Sequence, residues 1–350
     1  MDQLSPLKIL DVSSVSPKSP KTATISSAAT SLPLTFSDLL WVTLFPNSGF
    51  SIGISTHHAA MDGKSSTSFL NSWAYICFHL KDSSDSSVLL PEHLVPFYDR
   101  SVIKDPSGVA EKFANSLLEN GGPNNRSLMV QKRGRGNQSK LIRGTFELSP
   151  SSISKLKKSA ESKVTKKGVR VSSFVVACAH VLECLVKAEE TEENRVFFIF
   201  SADLRSRLDP PIPPTYFGNC IGGAMFVCET KRLMEEDGFV CGVEGISEGL
   251  KRMEEEEDAV SKTGRLFFEM QKMVKDKNVR IFTLAGSHRF DVYGNDFGWG
   301  RPKKVEIVSI DETGAISLTE SRNKNGGIEI GLVLNQTVMD AFASLFARRL

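Results

Sequence analysis

At 350 residues and 40% hydrophobic content, the chain is long enough to fold as one large domain or two ordinary ones around a sizeable core. Its 43 basic and 41 acidic residues leave a net charge of +2, which excludes the electrostatic footprint of a nucleic-acid binder. The six cysteines (Cys77, Cys178, Cys184, Cys220, Cys228, Cys241) form no C-x-x-C pair, so reduced thiols in a cytosolic protein are expected, and no apolar run is long enough to span a bilayer.

Residues 1–32 read as a disordered lead-in, rich in Ser, Thr, Pro and Lys from residue 11 and without a signal-peptide core. Phe50, Ile52, Ile54 and Thr56 then alternate with Ser51, Gly53, Ser55 and His57, the period of a strand with one apolar face. Beyond Gly63 the period changes. Phe69, Leu70, Trp73, Ile76, Cys77 and Leu80 predict a helix from about Ser65 to Leu80. Between strand and helix stands Thr56-His57-His58-Ala59-Ala60-Met61-Asp62-Gly63, which sets His58 and Asp62 four positions apart. Histidine, with an ordinary pKa of roughly 6.5, takes and returns a proton near neutrality, so the pattern suits a general base with an orienting carboxylate. Spacing alone favours a core histidine beside a helix-capping Asp62, because H-x-x-x-D is a short pattern.

Residues 81–108 are loop-rich, 108–119 read as a helix, and 120–140 read as an exposed linker whose Lys132, Arg133 and Arg135 are solvated, with a phosphate contact as the alternative. Arg143–Leu148 reads as a strand and Pro150–Ser162 as a helix opened by Ser149. Ser172-Ser173 opens a longer helix through Lys187, with Phe174, Ala177, Cys178, Val181, Leu182 and Leu185 on one face. Val196–Ala202 is a continuous apolar strand, followed by proline-rich turns at 209–214. Helices are expected over Gly238–Glu254, Ala259–Asp276 and Asn335–Arg348. Strands are expected over Val305–Ile310, Ala315–Glu320 and Ile328–Leu334, with Asn325-Gly326-Gly327 as a hairpin turn. Strands and helices interleave without a regular βαβ count, so the class is mixed α/β.

Two further constellations lie downstream: Tyr216-Phe217-Gly218-Asn219-Cys220, preceded by Asp203, Arg205 and Arg207, and Asp296-Phe297-Gly298-Trp299-Gly300. With His58-Ala-Ala-Met-Asp62, these resemble the H-x-x-x-D, Y-F-G-N-C and D-F-G-W-G motifs of the plant BAHD acyltransferases, in the same order. The segments Asp99–Ile103 and Val305–Leu350 look like the branch that malonylates phenolic and flavonoid glucosides. The resemblance covers most of residues 33–350. It implies two chloramphenicol-acetyltransferase-like domains with a channel between them: 33–128 carrying the histidine motif, a crossover linker over 129–143, and 144–350 carrying the second motif.

The resemblance also implies the chemistry. His58 deprotonates a sugar or phenol hydroxyl, which attacks the thioester of an acyl-CoA, and no acyl-enzyme forms. Acyl-CoA, malonyl-CoA in this branch, is a co-substrate, with no bound cofactor and no metal. Asp62 points away from substrate and holds the loop through an arginine, and Asp296 pairs with Arg205 or Arg207. Trp299 belongs to a structural motif rather than to an oxyanion site, and Trp41 resembles a residue near the acceptor pocket. A monomeric cytosolic enzyme of small-molecule substrates is expected, with no nucleic-acid or membrane partner. This chain departs from the family at one place. Leu34–Trp41 resembles the family's first strand and Val42–Phe50 the strand before the histidine motif, yet Trp41 meets Val42 directly, where the family carries a long segment. The N-terminal domain is therefore expected to be incomplete, and a truncated, inactive isoform is the alternative to an enzyme.

Other chemistries fit less well. Gly49-Phe50-Ser51-Ile52-Gly53 matches the G-x-S-x-G elbow of serine hydrolases, but Ser51 lies inside an alternating strand instead of a strand-to-helix turn. A zinc site at His57, His58 and Asp62 fails because adjacent strand residues face opposite ways.

Overall fold

A computed structural model describes residues 39–80, 88–121, 141–255, 259–273, 276, 278–323 and 325–350. The expected lead-in, the start of the first strand at Leu34, and the basic residues Lys132, Arg133 and Arg135 lie outside the described residues. The chain forms two compact units, divided between Met61 and Asp62.

The described residues of the first unit form a hairpin. β1 (Leu39–Phe45) pairs antiparallel with β2 (Gly49–Ser55), from Leu39 opposite Ser55 to Phe45 opposite Gly49. The sequence reading ends one strand at Trp41 and starts another at Val42. The structure instead runs β1 straight through that junction and turns at Pro46-Asn47-Ser48. That is the first place with turn chemistry: Pro46 pre-sets its φ, Asn47 takes a φ of +58°, and the Ser48 N–H closes the turn on the Phe45 carbonyl at 3.0 Å. The strand also stops earlier than expected. The Ala60 N–H bonds to the His57 carbonyl at 2.9 Å and the Ala59 N–H to His57 Nδ1 at 3.1 Å, which bends 57–60 into a turn. Leu40, Val42, Leu44, Phe45 and Phe50 are exposed.

The second unit opens with α1 (Gly63–Leu80) and α2 (Val109–Gly121). It continues through β3 (Leu141–Leu148), α3 (Pro150–Glu161), α4 (Ser173–Glu189), β4 (Arg195–Asp203) and β5 (Ile221–Glu229). There follow α5 (Thr230–Met234), α6 (Gly238–Glu255), α7 (Ala259–Met273) and β6 (Val279–Ala285). The chain closes with α8 (Ile310–Thr313), β7 (Ile316–Glu320), β8 (Ile328–Asn335) and α9 (Gln336–Arg348). Six strands form one mixed sheet in the order β3-β8-β7-β6-β4-β5, parallel only where β6 meets β4 and β7. Ser149, Ser172 and Asn335 cap α3, α4 and α9 through their side-chain oxygens, each satisfying a backbone N–H in the first helical turn.

The core is built around α4. The sequence reading gives this helix one apolar face, but Val175–Val186 is buried without interruption, His180 and Glu183 included. It packs against α3, α6 and α9, so no face meets water. The two polar residues are partnered. His180 Nε2 lies 3.0 Å from the Phe346 carbonyl, and the Arg349 guanidinium grips Glu183 at 2.7 and 2.8 Å. The expected strand Val305–Ile310 does not form. Side chains tie that segment to β3 instead: Arg143 reaches Glu306 and Asp311 at 2.6 Å each, and Lys304 reaches Thr145 at 2.9 Å. β5 and β6 went unpredicted, β5 because Gly222 and Gly223 break its apolar run. Among the described residues no helix is long and apolar enough to cross a membrane.

Candidate active site

Asp62 is the first residue of the larger unit, and it does two jobs. As the cap of α1 its Oδ1 accepts the Ser65 N–H at 2.8 Å. As a buried anion, 1% exposed, it meets Arg205, also 1% exposed, with Nη2 at 2.9 and 3.1 Å from its two oxygens. The Cys220 N–H completes the carboxylate's coordination at 2.9 Å. Arg205 is held from every side. Its Nε and Nη2 lie 3.2 and 3.0 Å from the Tyr216 carbonyl, Nη2 is 3.1 Å from the Gly218 carbonyl, and Nη1 donates to Asp203 at 2.8 Å. Lys64 donates to the other Asp203 oxygen at 2.7 Å. Burial alone raises the Asp203 carboxyl, but the bonds from Lys64 and Arg205 outweigh it and hold the group below the usual carboxylate range. Burial works against the Arg205 charge as well; Asp203 and Asp62 reverse that effect.

The clasp spans the chain. Ser65 Oγ takes part too, accepting the Gly218 N–H at 3.1 Å and donating to the Gly218 carbonyl at 3.0 Å. Tyr216–Cys220 is thereby fastened to the start of α1. Its other side pairs with the 97–103 segment. The Phe97 N–H bonds to the Thr215 carbonyl at 3.0 Å, and the Phe217 N–H to the Phe97 carbonyl at 2.8 Å. Tyr216 and Cys220 form a small core with Leu204 and Ile212, against which Phe97, Val102 and Ile103 pack. Burial pushes the Cys220 thiol up to about 11, which removes it as a thiolate nucleophile at neutral pH.

The 296–300 motif is a turn that closes on its own carboxylate. Asp296 Oδ1 accepts the N–H groups of Gly298 and Gly300 at 2.8 and 2.9 Å, and both glycines have φ above +90°, where a side chain is strained. Asp296 therefore pairs with backbone, not with the expected arginine. Arg205 belongs to Asp62, and Arg207 donates to the Asp203 carbonyl at 2.8 Å and faces Glu254 at 3.5 Å. The aromatic that anchors the turn is Phe297, edge-on to Trp73 of α1 with ring centroids 4.9 Å apart. Trp299 is exposed. Gly63 sits so close to Phe290 that a Cβ there would lie 2.8 Å from the ring. α1 is thus tied to the larger unit by Asp62, Gly63, Ser65 and Trp73.

His58 lies in the exposed turn after β2, and Trp41 lies on β1 opposite Gly53. The structure brings Asp62, Tyr216–Cys220 and the Asp203/Arg205 pair together. Lys64 and Ser65 were missed as members of this cluster. The Asp62 cap requires only a backbone N–H at position 65, so neither the Ser65 hydroxyl nor Lys64 carries a local signal.

The Transferase family model matches residues 22–348. The chain is 37% identical over 311 residues to malonyl-CoA:anthocyanidin 5-O-glucoside-6''-O-malonyltransferase of Arabidopsis thaliana, covering 87% of this chain and 67% of that protein. It is 39% identical over 310 residues to phenolic glucoside malonyltransferase 2 (87% and 66%) and 38% identical over 313 residues to agmatine coumaroyltransferase (88% and 67%), both also of Arabidopsis thaliana. The chain thus spans about two thirds of the length of these relatives. Among solved structures, vinorine synthase superposes with a TM-score of 0.60 at 20% identity, covering 88% of this chain and 66% of that one. Polyketide synthase associated protein 5 of Mycobacterium tuberculosis does so with 0.55 at 16%, covering 88% and 74%. The likeness to both is one of fold.

Proposed function

The chain belongs to the Transferase family, that of the BAHD acyltransferases, and from that premise we propose that it is an acyl-CoA-dependent O-acyltransferase moving a malonyl group from malonyl-CoA to a hydroxyl of a phenolic or flavonoid glucoside. The observation that carries the reading is the clasp: Asp62, four residues after His58, is locked by Arg205 and the Cys220 N–H, which fixes the point at which the larger unit begins. Relatives named for malonyl transfer to glucosides support the donor and acceptor class.

In this reading His58 accepts the proton of the acceptor hydroxyl as its oxygen attacks the thioester carbonyl. The tetrahedral intermediate collapses with cleavage of the carbon–sulfur bond, and the protonated His58 returns the proton to the departing thiolate. The products are the ester and free CoA. A base so placed contributes about 10²- to 10⁴-fold. Asp62 touches no reacting atom here; it positions the turn. The protein is taken to be a cytosolic monomer.

Purified chain incubated with malonyl-CoA and a panel of phenolic and flavonoid glucosides should release CoA thiol and yield malonylated product. His58→Ala should lower kcat by at least about 100-fold. Unchanged activity in that variant removes the histidine from the reaction. A second reading has support of its own. Among the described residues the sheet that precedes His58 has two strands, with Leu40, Val42 and Leu44 exposed, as expected if a segment is absent between Trp41 and Val42. A folded sample that turns over no acceptor favours this inactive isoform.

A further inference from the structure

β5 and α6 meet with matched side-chain periods. Phe226 and Cys228 share one face of β5, because strand side chains alternate, and Cys241 and Gly245 share one face of α6, one turn apart. Phe226 packs on Gly245 so closely that a Cβ there would stand 1.9 Å from the ring. The same register sets Cys228 against Cys241. Both thiols line a cavity of about 450 Å³, within the roughly 300–1,000 Å³ of small-molecule sites. Both are half-buried, whereas Cys178 and Cys184 are buried.

The surroundings divide the two thiols by role. Cys241 lies in the first turn of α6, where the helix end favours negative charge. The neighbouring Cys228 thiol, with the Arg232 charge, favours the Cys241 thiolate and holds that group below the ordinary thiol range against the cost of burial. Cys241 and burial in turn push Cys228 up. The cavity wall also carries Lys163, Lys166 and Arg232 against Asp237 and Glu244, an excess of one positive charge. Lys166 faces Glu244 at 3.1 Å and Arg232 faces Asp237 at 3.5 Å.

We propose that Cys228 and Cys241 are a dithiol modification site for anionic peptide disulfides of the oxidised-glutathione type, with Cys241 attacking and Cys228 resolving. In the first step the Cys241 thiolate attacks one sulfur of oxidised glutathione, the sulfur–sulfur bond breaks, and one glutathione thiolate leaves and takes a proton from solvent. In the second the Cys228 sulfur, its proton passing to solvent, attacks Cys241 and expels the second glutathione. Two thiols are oxidised to one disulfide and one oxidised glutathione is reduced to two thiols. The link joins the far end of β5 to the start of α6.

The full chain, treated with oxidised glutathione at pH 7, alkylated in denaturant and peptide-mapped, should show Cys228 joined to Cys241 and the other cysteines alkylated. Cys228→Ser should trap one glutathione on Cys241, and Cys241→Ser should leave Cys228 reduced, with an adduct rate lower by at least about tenfold. Alanine variants replace serine if circular dichroism shows a disturbed fold. Wild-type protein that keeps glutathione on Cys241 without a cross-link, or equal adduct formation on Cys228 in Cys241→Ser, overturns the assignment. So does a disulfide from either thiol to another cysteine.

Discussion

The two ends of the His58–Asp62 motif belong to units of different construction. The histidine end follows a two-stranded hairpin whose Leu40, Val42 and Leu44 are exposed, so the backbone ladder and the Pro46–Ser48 turn are what shape it. The aspartate end begins a unit with a six-stranded sheet and a core in which Leu148, Leu156, Phe198 and Phe342 are fully buried. Isolated two-stranded hairpins are marginal in water, whereas a sheet covered by helices is not. A short motif can therefore join a rigidly held carboxylate to a histidine on a weakly supported element, and the two can be perturbed separately.

The largest effect should come from the aspartate side. Arg205→Met leaves Asp62 and Asp203 facing no guanidinium, and removing one partner of a buried pair costs about 3–5 kcal/mol. A urea titration should show the loss; an unchanged midpoint breaks the contrast between the units. Next is acid. Burial, with the Arg349 charge behind it, holds His180 down to about 4 despite its bond to the Phe346 carbonyl. Between its unfolded pKa of about 6.5 and 4 the unfolded chain binds the extra proton. Stability from the neutral imidazole is thus present above pH 6.5 and lost as pH falls towards 4, by up to about 3 kcal/mol. The difference between wild type and His180→Gln in urea midpoints should shrink over that window. Gly63→Ala drives a methyl against Phe290 and should cost about 1–3 kcal/mol. The smallest effect belongs to the hairpin: Leu44→Ser should shift stability by no more than about 0.5 kcal/mol. A larger loss would mean that the hairpin's apolar face is covered in solution.

These contrasts track what could be read from the residues. α3, α4 and α9 were legible because their caps at Ser149, Ser172 and Asn335 precede clear apolar periods. β5 was not, since Gly222 and Gly223 interrupt its apolar run right after Ile221, and β6 was not either. Within the site, Asp62 and its arginine were foreseen as a type of pair, but the choice of arginine was not. Arg205 and Arg207 are alike in sequence, and only the fold turns one inward to 1% exposure and leaves the other beside Glu254. The participation of Lys64 depends on Asp203, 139 residues away, and no local pattern announces it.

The clasp also orders events in time. Asp62 and Arg205 are 143 positions apart, so at about 5–20 residues per second the aspartate leaves the ribosome roughly 7 to 30 s before its partner exists. β3 waits longer, because its ladder partner β8 places Asn335 opposite Leu141. The His58–Asp62 segment is made early and receives its clasp only once Arg205 has emerged, and during that interval a nascent chain presents His58 and Asp62 without the arginine that holds one of them in place.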